Sequence, residues 1–479
     1  MAQASAAPRR AANFFAQLMS VYSIKNQIAR PLGLGLALIP LLALGRTGLR
    51  AEPAPPLQPL AEFLRAGAQR SFDSREAMQL AAQRQQELLN AYAKLAPAVS
   101  ATSSYTRNQY QVEVNIPAFA GGMPTGMSST AVITPQDQVD AVFSLSVPLI
   151  DAGAWQRIGA ARSTAQAAKE RAGATGLEVQ KNVARTYFQY VAACALVTAA
   201  ERSRDAASEN EQTVSKRRQA GLASELDGAR ASADTERARQ SIADAELTRD
   251  LAARSLQTFT GLAPSGPATE LGDDLKEESA LASWQTGSLP QIRAAEAEVR
   301  AAQQNARAAL LTYVPTLSGS LSERLTNAAG FGQGATFSAA VSLAWRADLA
   351  TLYNARALQA AGAAAQVRSE RTRRDAEDQI YNAWSQVRAY LVRSRAARSQ
   401  RESAQLAAAL SHKRYGAGTA TQLEVIQAER DAFSAEVARI QADADLAYAR
   451  VSLRLSAGQT PVDTVLPAAP APAVQGGAS

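Results

Sequence analysis

From Val139 to Leu149 the apolar residues fall on odd positions: Val139, Ala141, Phe143, Leu145, Val147 and Leu149, with Asp140, Val142, Ser144, Ser146 and Pro148 between them. Period-two alternation predicts a strand with one apolar face and one mostly small, polar face. Its length suits a tilted strand crossing a bilayer, which takes roughly 9–11 residues. The same alternation returns over Thr336–Trp345, where Phe337, Ala339, Val341, Leu343 and Trp345 interleave with Thr336, Ser338 and Ser342. Two further strands are predicted over 98–106, with serines and threonines on one face, and over 316–325.

After Gly153 the period changes. From Trp155 to Arg218 there is no proline and only three glycines, in a segment rich in Ala, Gln, Glu and Arg. An uninterrupted helix of that length extends on the order of 96 Å. A second long helix ends near Arg414, and shorter helices are predicted over 73–95, 224–259, 290–312 and 422–456. Asp73-Ser74-Arg75-Glu76 reads as a capping box opening the first of these. The Gly/Pro-rich residues 108–138 read as a loop, residues 262–288 as irregular and acidic, and the chain from Pro461 as a disordered Ala/Pro-rich tail. The long helices carry seams. Val183, Tyr187, Tyr190, Cys194 and Val197 step by four and three, and so do Ile380, Trp384, Val387, Leu391 and Ser394, although the last is polar. This is coiled-coil spacing, so each long helix is expected to pair with the shorter helices on either side of it in sequence.

The two seams are related by a fixed offset. Asp151 and Asp348, Gly221 and Gly418, and Gly261 and Gly458 all stand 197 residues apart, with no insertion between them. A long-period repeat implies two copies of one structural unit. The predicted organisation is a signal region over 1–45, a first repeat over 46–261, a second over 262–458 and a tail over 459–479.

Composition changes this picture little. The chain is 47% hydrophobic but 6% aromatic, as befits alanine-rich packed helices. Its net charge of +7 is spread along helices and interleaved with acids, as in RSRDAASENEQ, so it marks solvated helix faces and not a nucleic-acid partner. Basic residues Arg9, Arg10, Lys25 and Arg30 precede an apolar run from Pro31 to Gly45, too short to span a bilayer but suited to a secretory signal cut near Arg46, with Met19 an alternative start. No other stretch approaches a membrane helix, so any crossing must use strands. Four strands cannot close, and an open edge in lipid leaves backbone groups unsatisfied at several kcal/mol each. The chain must therefore associate. Two chains supply eight strands, a filled barrel, and three supply twelve, enough for a water-filled lumen.

Candidate chemistry is sparse. His412 is the only histidine and reads as a solvated helix end. Met123 and Met127 are a residue type that binds copper but too few for a site, and Cys194, the only cysteine, reads as a small packed hydrophobe. Neither a phosphate loop nor a Ser/His/Asp arrangement is present, so no enzyme and no cofactor are expected.

The order helix, proline, strand, loop, strand, glycine, long helix, given twice, resembles the TolC-like outer membrane factors. The marks are SLSVPLIDAG at 144–153, LLTYVPTLSGS at 310–320 and KRYGAGTATQLEVIQAERD at 413–431, within a resemblance spanning about 57–460. The resemblance implies a mainly α protein with a membrane β-barrel: a homotrimer sharing one twelve-stranded barrel, continued by a coiled-coil helical tunnel in the periplasm. It implies an outer-membrane exit channel of a tripartite efflux pump or type I secretion system. The implied partners are outer-membrane lipid, a periplasmic adaptor (membrane fusion) protein and an inner-membrane transporter of RND, ABC or MFS type. The chain departs from the family at Ala344-Trp345-Arg346, where a proline is usual. In the family the tunnel closes near the helix turns, here Gly221 and Gly418. Carried over by position, the gate tyrosine is Tyr415, the carboxylates six residues after the turn glycines are Asp227 and Glu424, a second aspartate becomes Gln427, and the gate arginine becomes Ala420. Without the resemblance, Asp227 and Glu424 read as first-turn acids favoured by the helix dipole. The alternative from another class is a soluble periplasmic coiled-coil scaffold or adaptor.

Overall fold

The computed structural model describes residues 57–120, 123–268, 271–272, 275–284 and 289–459. By internal contacts the chain separates into Met1–Pro53 and Ala54–Ser479. All described residues belong to the second unit, so the expected signal region and, past Gln459, the expected tail lie outside them.

In chain order the elements are α1 (Leu60–Arg70), α2 (Phe72–Ala93), β1 (Ala98–Arg107), β2 (Val112–Ala120), β3 (Met123–Thr134), β4 (Asp137–Ile150), α3 (Ala152–Gln219), α4 (Glu225–Thr260), α5 (Pro290–Leu310), β5 (Thr316–Thr326), β6 (Ala335–Ala344), α6 (Leu349–Gly416) and α7 (Gln422–Ser456). Both long helices, α3 and α6, contain 68 residues. Each is opened by an aspartate whose carboxylate accepts the first-turn N–H: Asp151 from Ala154 at 2.7 Å and Asp348 from Thr351 at 2.6 Å.

Three expectations are corrected. Residues 108–138 are not a plain loop, because β2 and β3 form an antiparallel hairpin within them. The alternation Val112, Val114, Ile116 was its signal, obscured by the glycines and prolines downstream. Helix α2 begins two residues earlier than the Asp73–Glu76 pattern indicates: Ser71 is its cap and accepts from Ser74 N–H at 3.2 Å. The last strand ends at Ala344, and Trp345 turns away to donate its indole N–H to the Tyr313 carbonyl at 3.1 Å.

β1, β4, β5 and β6 form one antiparallel sheet in that order, separate from the β2–β3 hairpin. Its register carries the two-faced pattern across all four strands. Ala101, Phe143, Glu323 and Phe337 share one cross-strand row, and Ser100, Ser144, Ser322 and Ser338 share the next on the opposite face. The Ser100 and Ser144 hydroxyls bond at 2.7 Å, and those of Ser322 and Ser338 at 2.9 Å. Pro148 cannot donate to the ladder, and the β4–β5 register slips immediately after it, between Pro148 and Ile150. All four helices that border the sheet join it at one end, where Ala98, Ile150, Thr316 and Ala344 lie.

The helices pack as the seams predict, α3 with α2 and α4, and α6 with α5 and α7. In addition α3 packs against α5 and α7 of the other half. The Ser163 hydroxyl donates to Gln304 at 2.9 Å, and Glu170 pairs with Arg293 at 2.9 Å. Leu60, Phe63, Val183, Tyr187, Phe188, Leu256, Val451 and Leu455 form one core, and Leu289, Ile292, Ile380, Val387, Leu391, Leu446 and Leu453 another. Cys194 is half-buried, and burial pushes its thiol pKa up. The polar seam residue Ser394 is buried because its hydroxyl donates to Asp443 at 2.5 Å. Asp443, only 2% exposed, also accepts from Arg398 Nη2 at 3.1 Å and from Arg439 Nη1 at 3.2 Å.

Candidate functional site: the helical tip

Both helical hairpins turn through a glycine in the left-handed region, Gly221 at φ 72° and Gly418 at φ 75°. A side chain is strained there, which is why glycine follows each long helix by so fixed a spacing. The turns are closed alike. Leu222 N–H reaches back to the Arg217 carbonyl at 2.8 Å, and Thr419 N–H to the Arg414 carbonyl at 2.9 Å. Lys216, Arg217 and Arg218 on α3, and Lys413 and Arg414 on α6, lie where the negative end of the helix dipole favours cations.

Both returning helices start with a side-chain cap, and the first has a full capping box. Ser224 caps α4, and the Asp227 carboxylate accepts from the Ser224 N–H at 3.1 Å and hydroxyl at 2.7 Å. Thr421 caps α7, and its hydroxyl donates to Glu424 at 3.2 Å. The two acids expected at the gate thus each hold a helix start. No hydrogen bond joins Tyr415 to Asp227, Glu424 or Gln427. Gln427 is exposed, Glu424 is exposed and Asp227 is half-buried.

Tyr415 instead meets Arg217. The guanidinium lies 4.5 Å from the centre of the Tyr415 ring and donates from Nη1 to the Tyr415 carbonyl at 2.5 Å. One side chain of α3 therefore covers the ring and caps the last turn of α6. Burial pushes the Tyr415 phenol pKa up, with the nearby Arg217 charge opposing and that of Asp227 adding. An arginine thus stands beside Tyr415, although the position carried over from the family holds Ala420. Arg217 stands four residues before Gly221, but nothing local points to a tyrosine 198 residues away.

Further along the hairpins two pairs tie helices together. Arg430 of α7 donates to Asp234 of α4 at 2.7 Å. His412 of α6 bonds Glu429 of α7 at 2.6 Å, so it is a helix-pairing residue and not merely a solvated end. Burial pushes the Glu429 carboxyl up, the His412 contact opposes this, and Asp234 and Glu209 add to it. Among the described residues no cluster of acids, His and Cys is arranged to hold a metal ion, and no helix is long and apolar enough to cross a membrane.

A two-faced sheet set on long helical hairpins is the build of an outer-membrane channel with a helical extension. The chain belongs to the outer membrane efflux protein family, whose profile matches residues 64–262 and 287–459. Three solved structures share the fold. The outer membrane channel CmeC of Campylobacter jejuni is 16% identical at a TM-score of 0.67, over 88% of this chain and 94% of that one. VceC of Vibrio cholerae is 16% identical at 0.67, over 84% and 96%. The open state of MtrE of Neisseria gonorrhoeae is 20% identical at 0.65, over 84% and 89%. No curated protein matches the chain. It is thus an outer-membrane efflux channel protein of the kind that serves tripartite pumps, with its helices in the periplasm, and not an enzyme. The soluble scaffold alternative is set aside.

Proposed function

We propose that three copies share one twelve-stranded barrel and act as a passive exit duct, closed at the periplasmic helical tip and opened by an adaptor protein driven by an inner-membrane transporter. The observation that carries this reading is the sheet itself. Its outer strands β1 and β6 each have a free edge, and one face of the sheet is apolar. Such edges in lipid require a partner strand, which a second copy's β1 or β6 supplies. The helices also support association. α3 is covered by α2, α4, α5 and α7, whereas α6 packs mainly on α5 and α7 and exposes Tyr353, Val367, Tyr381, Val392 and Leu406. The equal length of α3 and α6 supports two copies of one unit within the chain. Nothing favours a secretion system over an efflux pump, and the duct suits either. Mass measurement in detergent is expected to give three chains per particle; a monomer or dimer that conducts overturns the proposal.

At the tip, the same reading brings three copies each of Asp227 and Glu424 towards one axis, together with Tyr415 and Gln427. Converging carboxylates attract cations. Multivalent cations added from the periplasmic side are expected to block conductance, and added salt to relieve the block. The D227N/E424Q variant keeps hydrogen-bonding groups at both caps and is expected to lose the block while remaining trimeric. Undiminished block would make these acids helix caps alone.

A further inference from the structure

The polar face of the sheet bears almost no charge. On β1 it carries Ser100, Thr102, Ser104 and Thr106, on β4 Ser144 and Ser146, on β5 Ser318, Ser320 and Ser322, and on β6 Thr336, Ser338 and Ser342. Among the described residues of the four strands, Asp140 and Arg324 are the only charged residues on this face. They are bonded to each other. Arg324 donates to Asp140 Oδ1 from Nε at 3.0 Å and from Nη2 at 2.7 Å, while Gln138 donates to Asp140 Oδ2 at 2.6 Å. The three charged residues of the opposite face, Arg107, Asp137 and Glu323, point away from it.

We infer that the Asp140–Arg324 pair sets the ion selectivity of the exit lumen, holding an otherwise hydroxyl-lined bore electrically neutral so that cargo of either sign passes. This rests on the trimeric barrel proposed above, in which the polar face is the lumen and three such pairs form a ring near the end of the sheet remote from the helices. Hydroxyl rows offer hydrogen bonds to any solute but no fixed charge to retain one. The ring is therefore the one place on this face where neutralising a single residue leaves an uncompensated charge. Removing Arg324 leaves three carboxylates facing one water-filled lumen, and removing Asp140 leaves three guanidinium groups. A pair serving only to tie β4 to β5 would lose assembly or stability when cut but would not shift selectivity in opposite senses.

The test is a charge cycle on the full-length protein in planar bilayers, under a KCl gradient at low ionic strength, about 0.01 M, where screening extends about 30 Å. The readout is the potassium-to-chloride permeability ratio. Replacing Arg324→Gln is expected to raise it roughly threefold, Asp140→Asn to lower it by a similar factor, and the D140N/R324Q double variant to return it to the wild-type value. Charge at the helical tip is common to all four proteins and cancels. Arg324→Lys, which keeps the charge, should leave the ratio as in wild type. If R324Q does not insert, D140N decides the matter by its opposite shift. A conducting channel whose ratio ignores these substitutions, or a double variant that does not return, overturns the inference and leaves the channel intact. A correctly inserted wild type that never conducts overturns the channel reading as well.

Discussion

Replacing Arg217→Ala is expected to leave the tip open most of the time, seen as a severalfold rise in single-channel conductance in planar bilayers. A guanidinium over an aromatic ring contributes roughly 0.5–2 kcal/mol, and a charge-assisted hydrogen bond roughly 1.5–3 kcal/mol. Arg217 is half-exposed, so solvent screening places its joint contact with Tyr415 near the lower end, about 2 kcal/mol. In the trimer proposed above, three such contacts closing one tip would together supply about 6 kcal/mol, comparable to the roughly 5.5 kcal/mol that moves an equilibrium from mostly closed to mostly open. Arg217→Lys keeps the charge but not the flat donor fork, so its conductance should fall between the two. An R217A channel indistinguishable from wild type would mean that the α3–α6 contact does not hold the tip.

The second large effect is on stability. Asp443 is 2% exposed and receives bonds from Ser394, Arg398 and Arg439. Removing a buried partner of this kind typically costs about 3–5 kcal/mol, because the opposing charges keep their desolvation penalty without its compensation. Asp443→Ala is therefore expected to shift the unfolding of the helical signal in denaturant to clearly lower concentration. Asp443→Asn keeps the shape and part of the hydrogen bonding and should lose less. The exposed pair Arg84–Glu87, at 47% and 44%, serves as the control and should change stability by no more than about 0.5 kcal/mol when broken. If D443A and the surface control behave alike, the network is not a structural anchor.

Much of this fold was legible because it is periodic. Alternation at Val139–Leu149 and Phe337–Trp345 gave the strands and their faces, and the step of 197 residues between the turn glycines gave two helical hairpins of equal plan. What escaped was relational. Ser394 broke the apolar seam, and its reason is Asp443, whose position on another helix no local pattern reveals. Arg217 reads as one of several basic residues ending a helix until Tyr415 is brought beneath it. Asp227 and Glu424 stand just past the turns, and their nearest bonds are to their own caps, Ser224 and Thr421.

The connectivity of the sheet has a consequence for how the molecule is built in time. β1 with β4, and β5 with β6, are each neighbours joined by a short excursion, but β4 meets β5 across residues as far apart as Asp140 and Thr326, with all of α3, α4 and α5 threaded between. Local pairings form early and distant ones late, since chain closure must be completed before the contact rewards it. The helical hairpins can therefore zip from their glycine turns while the β4–β5 seam is still open. Until that seam closes, a nascent chain has two separate ribbons with four exposed edges, the species most in need of a chaperone on its way to the membrane.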